Sequence, residues 1–182
     1  MKNIELLFLM LLLLGSYGCK QAKKETKAIM ENVVTAVEEM NNLEVVKTLK
    51  FSMEPKSDSN VKGEVVFTEE NGIVSMKASL AALAPGEHAI HIHEKADCSS
   101  ADGKSTGGHW NPTFAPHGKW GSTEGYHRGD IGNFVADAQG NATVEFSTDE
   151  WCLGCGDKTK NLIGKGVIVH EDVDDFVSPA YW

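Results

Sequence analysis

The sequence has few positive charges for its length. Its 182 residues include 17 lysines and arginines against 26 aspartates and glutamates, which gives a formal net charge of −9. A surface that binds nucleic acid must neutralise phosphates, so this balance argues against a nucleic-acid partner. Proline is also scarce, with five residues, whereas 41% of the residues are hydrophobic. The chain is therefore long and apolar enough for one domain with a hydrophobic core.

Long hydrophobic runs are absent too. The longest, residues 6–14, has nine apolar residues and follows Lys2. This is the length of the apolar part of a secretory signal peptide and about half of a membrane span. We predict a signal peptide over residues 1–18. Small residues then lead to Cys19, in a pattern that resembles the lipobox of bacterial lipoproteins, so Cys19 is the predicted lipidation site.

This leader predicts that the mature chain lies outside the cytosol. A lipid on Cys19 would anchor the protein to a membrane, in the periplasm or at the cell surface, and secretion without a lipid is the alternative. Residues 19–42 begin with lysines and continue with apolar residues at spacings of three and four, which is typical of a short amphipathic helix. This segment is either a tether that holds the domain off the membrane or a partly disordered spacer.

From residue 43 onward the pattern changes to alternating apolar and polar residues, which predicts β-strands over a domain of residues 43–182. Residues 69–72 have the composition of a tight hairpin turn, and residues 137–141 predict a second hairpin. Several short strands without a helical pattern between them indicate an all-β antiparallel sandwich or barrel. Between Cys98 and Asp130 the pattern dissolves into a glycine-rich loop, and loops of that length are usually functional.

Seven histidines carry the strongest functional signal. His91 and His93 are two residues apart on a predicted strand, so their side chains share one face. The long loop adds further histidines, including His127 with Asp130 three residues later, and His170 follows the last predicted strand. Imidazole suits copper and zinc, and a carboxylate joined to histidines without thiolates fits zinc. A single pair of histidines two residues apart is weak support for a metal site. Six histidines in a compatible arrangement are strong support.

The order and spacing of these residues resemble the copper/zinc superoxide dismutase family. The matching strings are GEHAIHIHE at residues 86–94, GHWNP at 108–112, HRGDIGN at 127–133 and GVIVHE at 166–171. The resemblance covers residues 43–176 and implies the family's Greek-key β-barrel. Among the positions that match, it implies a set of four copper ligands, His91, His93, His109 and His170. It also implies four zinc ligands, His109, His117, His127 and Asp130.

In this resemblance His109 bridges the two ions as an imidazolate, and Asp174 hydrogen-bonds one copper histidine and one zinc histidine. The implied reaction converts superoxide, a small anion, to oxygen and hydrogen peroxide by copper redox cycling, with His91, His93, His109 and His170 as the catalytic residues. His88 is expected to be structural. The alternative function is a copper- and zinc-binding protein without turnover. A zinc hydrolase would need an open zinc position, which four protein ligands would fill.

The chain also departs from the family pattern. The family continues beyond the aspartates into a loop with an active-site arginine and a last strand, whereas the only arginine here is Arg128, between zinc ligands. The C-terminus is therefore predicted to be truncated and catalysis to be impaired, since local charge steers anions to a site. The sequence leaves the oligomeric state open, a homodimer included.

The cysteines also depart from the family pattern. The resemblance pairs Cys98 with a cysteine in the last strand, and that partner is missing here. Cys152 and Cys155 form the pattern C-x-x-C, which we interpret as a local disulfide. A redox-active pair is the alternative, although it would normally lie in a βαβ context, and free thiols or exchange with Cys98 are further alternatives.

Overall fold

The computed structural model describes residues 30–33 and 45–177. The chain divides into two units, Met1–Glu44 and Val45–Trp182. Residues 30–33 are helical and exposed. The predicted signal peptide, Cys19 and the rest of the predicted tether helix lie outside the described residues. Within the described part of the chain, none of the helices is long and apolar enough to cross a membrane.

Seven strands and one short 3-10 helix are present in residues 45–177. The strands are β1 (Lys47–Met53), β2 (Lys62–Glu70), β3 (Ile73–Ala81), β4 (Gly86–His93), β5 (Gly132–Ala136), β6 (Ala142–Thr148) and β7 (Gly166–His170). The 3-10 helix, Lys104–Thr106, lies in the long connection between β4 and β5. The predicted all-β class is confirmed.

The strands form two antiparallel sheets that face each other across the core. One sheet has the order β1-β2-β3-β6, and the other has the order β5-β4-β7. Since β6 returns to pair with β3 while β4 and β5 lie in the opposite sheet, the connection is a Greek key. The architecture is thus the sandwich that the sequence predicts.

The two predicted hairpins have different outcomes. β2 and β3 form the first, and its turn residues Asn71 and Gly72 both have positive φ, 52° and 75°, as a tight antiparallel turn requires. The second prediction is wrong. The turn itself forms, because Asp137 N–H donates to Asn141 O at 2.9 Å, but β5 pairs with β4 and β6 pairs with β3. The turn therefore carries the chain from one sheet to the other.

The hydrophobic core lies between the sheets. Alternate residues of β2 and β3 point into it, as do Ile90 and Ile92 of β4. Trp151, which follows β6, is 1% exposed and packs on Phe67 and Phe146 with ring centroids 6.0 and 5.0 Å apart. β4 is buried on both faces along most of its length, because its outer face is covered by the long loop. That outer face carries His91 and His93.

The connection between β6 and β7 contains the predicted local disulfide, which is confirmed. Cys152 and Cys155 are bonded, with their Cα atoms 5.9 Å apart, and Cys98 is a free, exposed cysteine. Leu153 N–H, inside the disulfide loop, donates a hydrogen bond to Glu69 Oε2 at 2.8 Å. The disulfide segment is therefore fastened to the end of β2.

Candidate metal centre

Backbone hydrogen bonds hold the long loop against β4. Ile92 N–H donates to Gly129 O at 2.9 Å, and Trp110 N–H donates to Ile92 O at 2.8 Å. Gly129 N–H in turn donates to Trp110 O at 3.0 Å. The two loop segments that carry His109 and Asp130 are thus placed beside the strand that carries the first histidine pair.

This close approach requires glycine at position 129. A Cβ atom added to Gly129 would lie 2.1 Å from Ile92 O and 3.0 Å from Trp110 N. Any side chain would separate the loop from β4, because both clashing atoms are backbone atoms engaged in hydrogen bonds. The glycine of the H-R-G-D string is therefore explained by packing, beside two ligand positions.

The first cluster on the outer face of β4 contains only imidazoles. One nitrogen from each ring lies within 4.8 Å of the others, and we call this the four-histidine group: His91, His93, His109 and His170. The Nε2 atoms of His93 and His170 are 3.4 Å apart, and the ring centroids of His91 and His109 are 3.8 Å apart. Four nitrogen donors therefore converge on one point.

The second cluster adds a carboxylate. Its donor atoms also lie within 4.8 Å of one another, and we call it the histidine–aspartate group: His109, His117, His127 and Asp130. Asp130 is completely buried, and its Oδ1 atom lies 2.8 Å from His109 Nδ1. Its Oδ2 atom lies 2.9 Å from His117 Nδ1 and accepts a 2.8 Å hydrogen bond from the backbone N–H of His127.

Asp174 connects the two groups by a second route. Its Oδ2 atom lies 2.9 Å from His91 Nε2 and its Oδ1 atom lies 2.8 Å from His117 Nε2. Asn133, in β5, holds the segment in place, because its Oδ1 accepts from Asp174 N–H and its Nδ2 donates to Asp174 O. The carboxylate therefore fixes the orientation of one ring from each group.

Burial lowers the pKa of three members of the four-histidine group, His93, His109 and His170. Burial, together with the charge of the neighbouring histidines, lowers the pKa of His93 to about 4 and that of His170 to about 3. Burial also lowers the pKa of His109, although its hydrogen bond to Asp130 opposes this shift. At neutral pH these imidazoles are therefore neutral, which is the form of histidine that binds metal ions.

The carboxylates are charged. Burial alone would raise the pKa of Asp130, but hydrogen bonds from His109 and His127 outweigh it and hold the pKa well below its usual range. Hydrogen bonds from His91 and His117 act in the same way on Asp174. The histidine–aspartate group thus holds one full negative charge. Although burial opposes it, contact with Asp174 and Asp130 raises the pKa of His117.

The residues of both groups fit metal ions. His91 Nδ1 is buried and has no hydrogen-bond partner, although the other nitrogen of that ring is bonded to Asp174. A buried polar atom without a partner is costly, and a metal ion at the centre of the four-histidine group would provide one. Imidazole nitrogens with a single carboxylate and no thiolate are a donor set for copper and zinc.

The structure brings all seven metal positions of the sequence prediction into these two groups. His88 belongs to neither, since its ring nitrogens lie 3.1 Å from His170 O and 2.8 Å from Ala84 O, and its ring stacks on Phe134. Sequence reasoning missed the carbonyl of Gly107, which accepts from His93 Nδ1 at 2.7 Å. A backbone carbonyl leaves no signal in a sequence pattern.

The structure defines a class of protein: a β-sheet metalloprotein with a two-sheet Greek-key sandwich and two metal-donor groups that share one histidine. Comparison with known proteins identifies the family. The family model for copper/zinc superoxide dismutase (SODC) matches residues 61–180 of this chain. Superoxide dismutase [Cu-Zn] 2 of Mesembryanthemum crystallinum is 37% identical over 119 residues, which are 65% of this chain and 73% of that protein. The crystal structure of the clock protein EA4 is similar with a TM-score of 0.60 at 30% identity, covering 71% of this chain and 77% of that chain.

The chain therefore belongs to the copper/zinc superoxide dismutase family. Its two-sheet fold agrees with this family, and its cofactors are copper and zinc.

Proposed function

We propose that the protein is a superoxide dismutase in which the four-histidine group holds copper and the histidine–aspartate group holds zinc. The observation that carries this proposal is the position of His109, buried between two donor sets of different composition. The set with four imidazoles suits copper, and the set with a carboxylate suits zinc.

Copper in the four-histidine group would supply one-electron chemistry, taking an electron from one superoxide and giving it to a second. Two superoxide ions and two protons thereby become one oxygen molecule and one hydrogen peroxide. The protein's part is to bring a proton to the second superoxide. We assign this role to Nε2 of His109, because Nδ1 of the same ring is already in contact with Asp130 Oδ1.

The surroundings of His109 suit proton delivery. Burial lowers its pKa, so a proton taken up from solvent on Nε2 would be given up readily to the second superoxide. The 2.8 Å contact between His109 Nδ1 and Asp130 Oδ1 fixes the orientation of the ring, and Nε2 is the ring nitrogen that does not face Asp130. The histidine–aspartate group has four protein donors and no vacant donor position for a substrate, so its zinc would be structural and not hydrolytic.

Dismutation per bound copper tests this proposal. The full-length chain is loaded with copper and zinc, both metals are quantified, and superoxide decay is followed by pulse radiolysis on the same sample. A rate that increases in proportion to copper content supports the proposal. A protein that binds both metals without turnover would instead be a metal-holding protein. One observation favours that second candidate: the only arginine, Arg128, is paired with Glu150 and not placed in the four-histidine group.

Asp174→Asn is expected to weaken zinc binding by about 10- to 100-fold, since residues that orient metal ligands typically contribute that much. The amide would keep the size of the side chain, but it would donate through one of the two atoms that now accept from His91 and His117. Competition with a zinc chelator measures the effect. Asp172→Asn is the matched control, because Asp172 is exposed on the same segment. Equal zinc affinity in both variants would contradict this role of Asp174.

We further propose that the mature protein is extracytoplasmic and lipid-anchored through Cys19. The support is the apolar run at residues 6–14 followed by small residues and a cysteine. Expression with radiolabelled palmitate in a bacterial host should label the wild-type protein in the membrane fraction. Cys19→Ser should remove the label, and a label that persists in that variant would exclude Cys19 as the attachment site.

A further inference from the structure

We propose that Glu150 is a positioning residue for the zinc ligands, which it holds in place through Tyr126 and Arg128. This inference rests on the proposed assignment of zinc to the histidine–aspartate group. Glu150 itself is no part of that group and lies in another connection of the fold, directly after β6. Its link to the ligands is a set of contacts to the segment of residues 126–130.

Both carboxylate oxygens of Glu150 are engaged with this segment. Oε1 accepts a 2.7 Å hydrogen bond from the hydroxyl of Tyr126, and Oε2 forms an ion pair with the guanidinium of Arg128. The guanidinium also lies 5.9 Å from the centroid of the Tyr126 ring. A single carboxylate therefore holds two side chains, one on each side of His127 in the sequence.

The position of these two side chains explains what the contact does. His127 lies between Tyr126 and Arg128, and its Nδ1 atom lies 3.3 Å from Asp130 Oδ1 in the interior. The flanking side chains reach Glu150 instead. The backbone of the segment is thus held at two points while the ligand ring between them contacts Asp130, which limits rotation of the segment about its own axis.

The base of this arrangement is rigid. Trp151, the neighbour of Glu150, is 1% exposed in the core, and its Nε1–H donates a 2.8 Å hydrogen bond to Arg128 O. Cys152 then begins the disulfide loop. Arg128 is consequently fixed through its side chain to Glu150 and through its carbonyl to the buried Trp151, just before the disulfide loop.

Partial burial protects the Arg128–Glu150 ion pair from solvent screening more than an ordinary surface pair is protected. The side chains of Arg128 and Glu150 are 21% and 28% exposed, whereas those of the Lys77–Glu145 pair on β3 and β6 are 59% and 67% exposed. Exposed pairs are screened by water and salt and contribute little. Glu145→Gln is therefore a matched control, with the same chemical change five residues away and no contact with the ligand segment.

The test measures zinc directly and not only activity. Full-length wild type, Glu150→Gln, Tyr126→Phe and Glu145→Gln are loaded with copper and zinc, and zinc release to a chromogenic chelator is timed. Release from Glu150→Gln is expected to be about tenfold faster, at the low end of the range for residues that orient metal ligands. Tyr126→Phe, which loses only a hydroxyl, should show a smaller increase, and Glu145→Gln should match the wild type.

Cobalt in the zinc position gives a second readout. The visible spectrum of bound cobalt reports the arrangement of its ligands, so it should change in Glu150→Gln and stay unchanged in Glu145→Gln. The inference would be overturned if Glu150→Gln released zinc at the same rate as the wild type and its cobalt spectrum were unchanged. If the wild-type protein itself gave no spectrum of cobalt bound to histidine and carboxylate, the zinc assignment would fail first, and this inference would fall with it.

Discussion

Asp130→Ala is expected to abolish tight zinc binding and to lower the free energy of unfolding of the metal-free protein by about 3 kcal/mol, a value typical of breaking a buried charge pair. The carboxylate is completely buried and accepts from the backbone N–H groups of Gly118 and His127 as well as from ligand histidines. Alanine would leave three of these donors, the backbone N–H groups of Gly118 and His127 and the Nδ1 atom of His109, buried without a partner, which is costly. The variant therefore loses zinc affinity through the missing ligand and loses stability through the unpaired polar groups.

Two measurements separate these contributions. Zinc per chain, determined by mass spectrometry after dialysis, reports the ligand, and urea unfolding of the metal-free protein reports the hydrogen bonds. Asp130→Asn is the control, since it keeps the volume of the side chain and removes the charge; we expect it to lose zinc as well but to be less destabilised than Asp130→Ala. Selective loss of copper, with zinc retained, would contradict the assignment of Asp130.

His109→Ala is expected to reduce dismutation per bound copper by about 100-fold or more, because a positioned proton donor typically contributes 10²- to 10⁴-fold. Copper would still have His91, His93 and His170 as ligands. The variant would therefore bind copper, with an altered visible and electron paramagnetic resonance spectrum, and react slowly. Zinc would lose one of its four donors at the same time.

The contrast with His170→Ala makes this prediction specific. His170 belongs only to the four-histidine group, so its removal should weaken copper binding and leave zinc occupancy close to that of the wild type. His109→Ala should affect both metals. An unchanged copper spectrum with full activity in His109→Ala would show that the ring does not connect the two groups.

Much of the fold could be predicted because alternation reports which residues face the core. The pattern Val65, Phe67, Val74, Met76 is buried as expected, and the turn at Asn71 and Gly72 joins adjacent strands. The same alternation predicted a hairpin from β5 to β6 and was wrong. Alternation identifies the buried face of a strand but not its neighbour, and strands of two opposed sheets face the same core from opposite sides.

The ligands could be predicted for a different reason. Metal donors are side chains of few types, so their spacing survives in the sequence, and all seven metal positions lie in the two groups. Their supports could not be predicted. Gly107 orients His93 through a carbonyl, and Glu150 contacts Arg128 across 22 positions of sequence with nothing in the local pattern to connect them. Such contacts depend on the tertiary fold alone.

The backbone ladder among Ile92, Trp110 and Gly129 has a consequence for how the centre is filled. These hydrogen bonds involve no ligand side chain, so the backbone itself holds both ligand-bearing loop segments beside β4. The backbone therefore supplies part of the ordering of the donors, which reduces the conformational entropy that is lost when an ion binds. Metal insertion into the folded chain should accordingly depend more on access to the buried donors than on reorganisation of the loop.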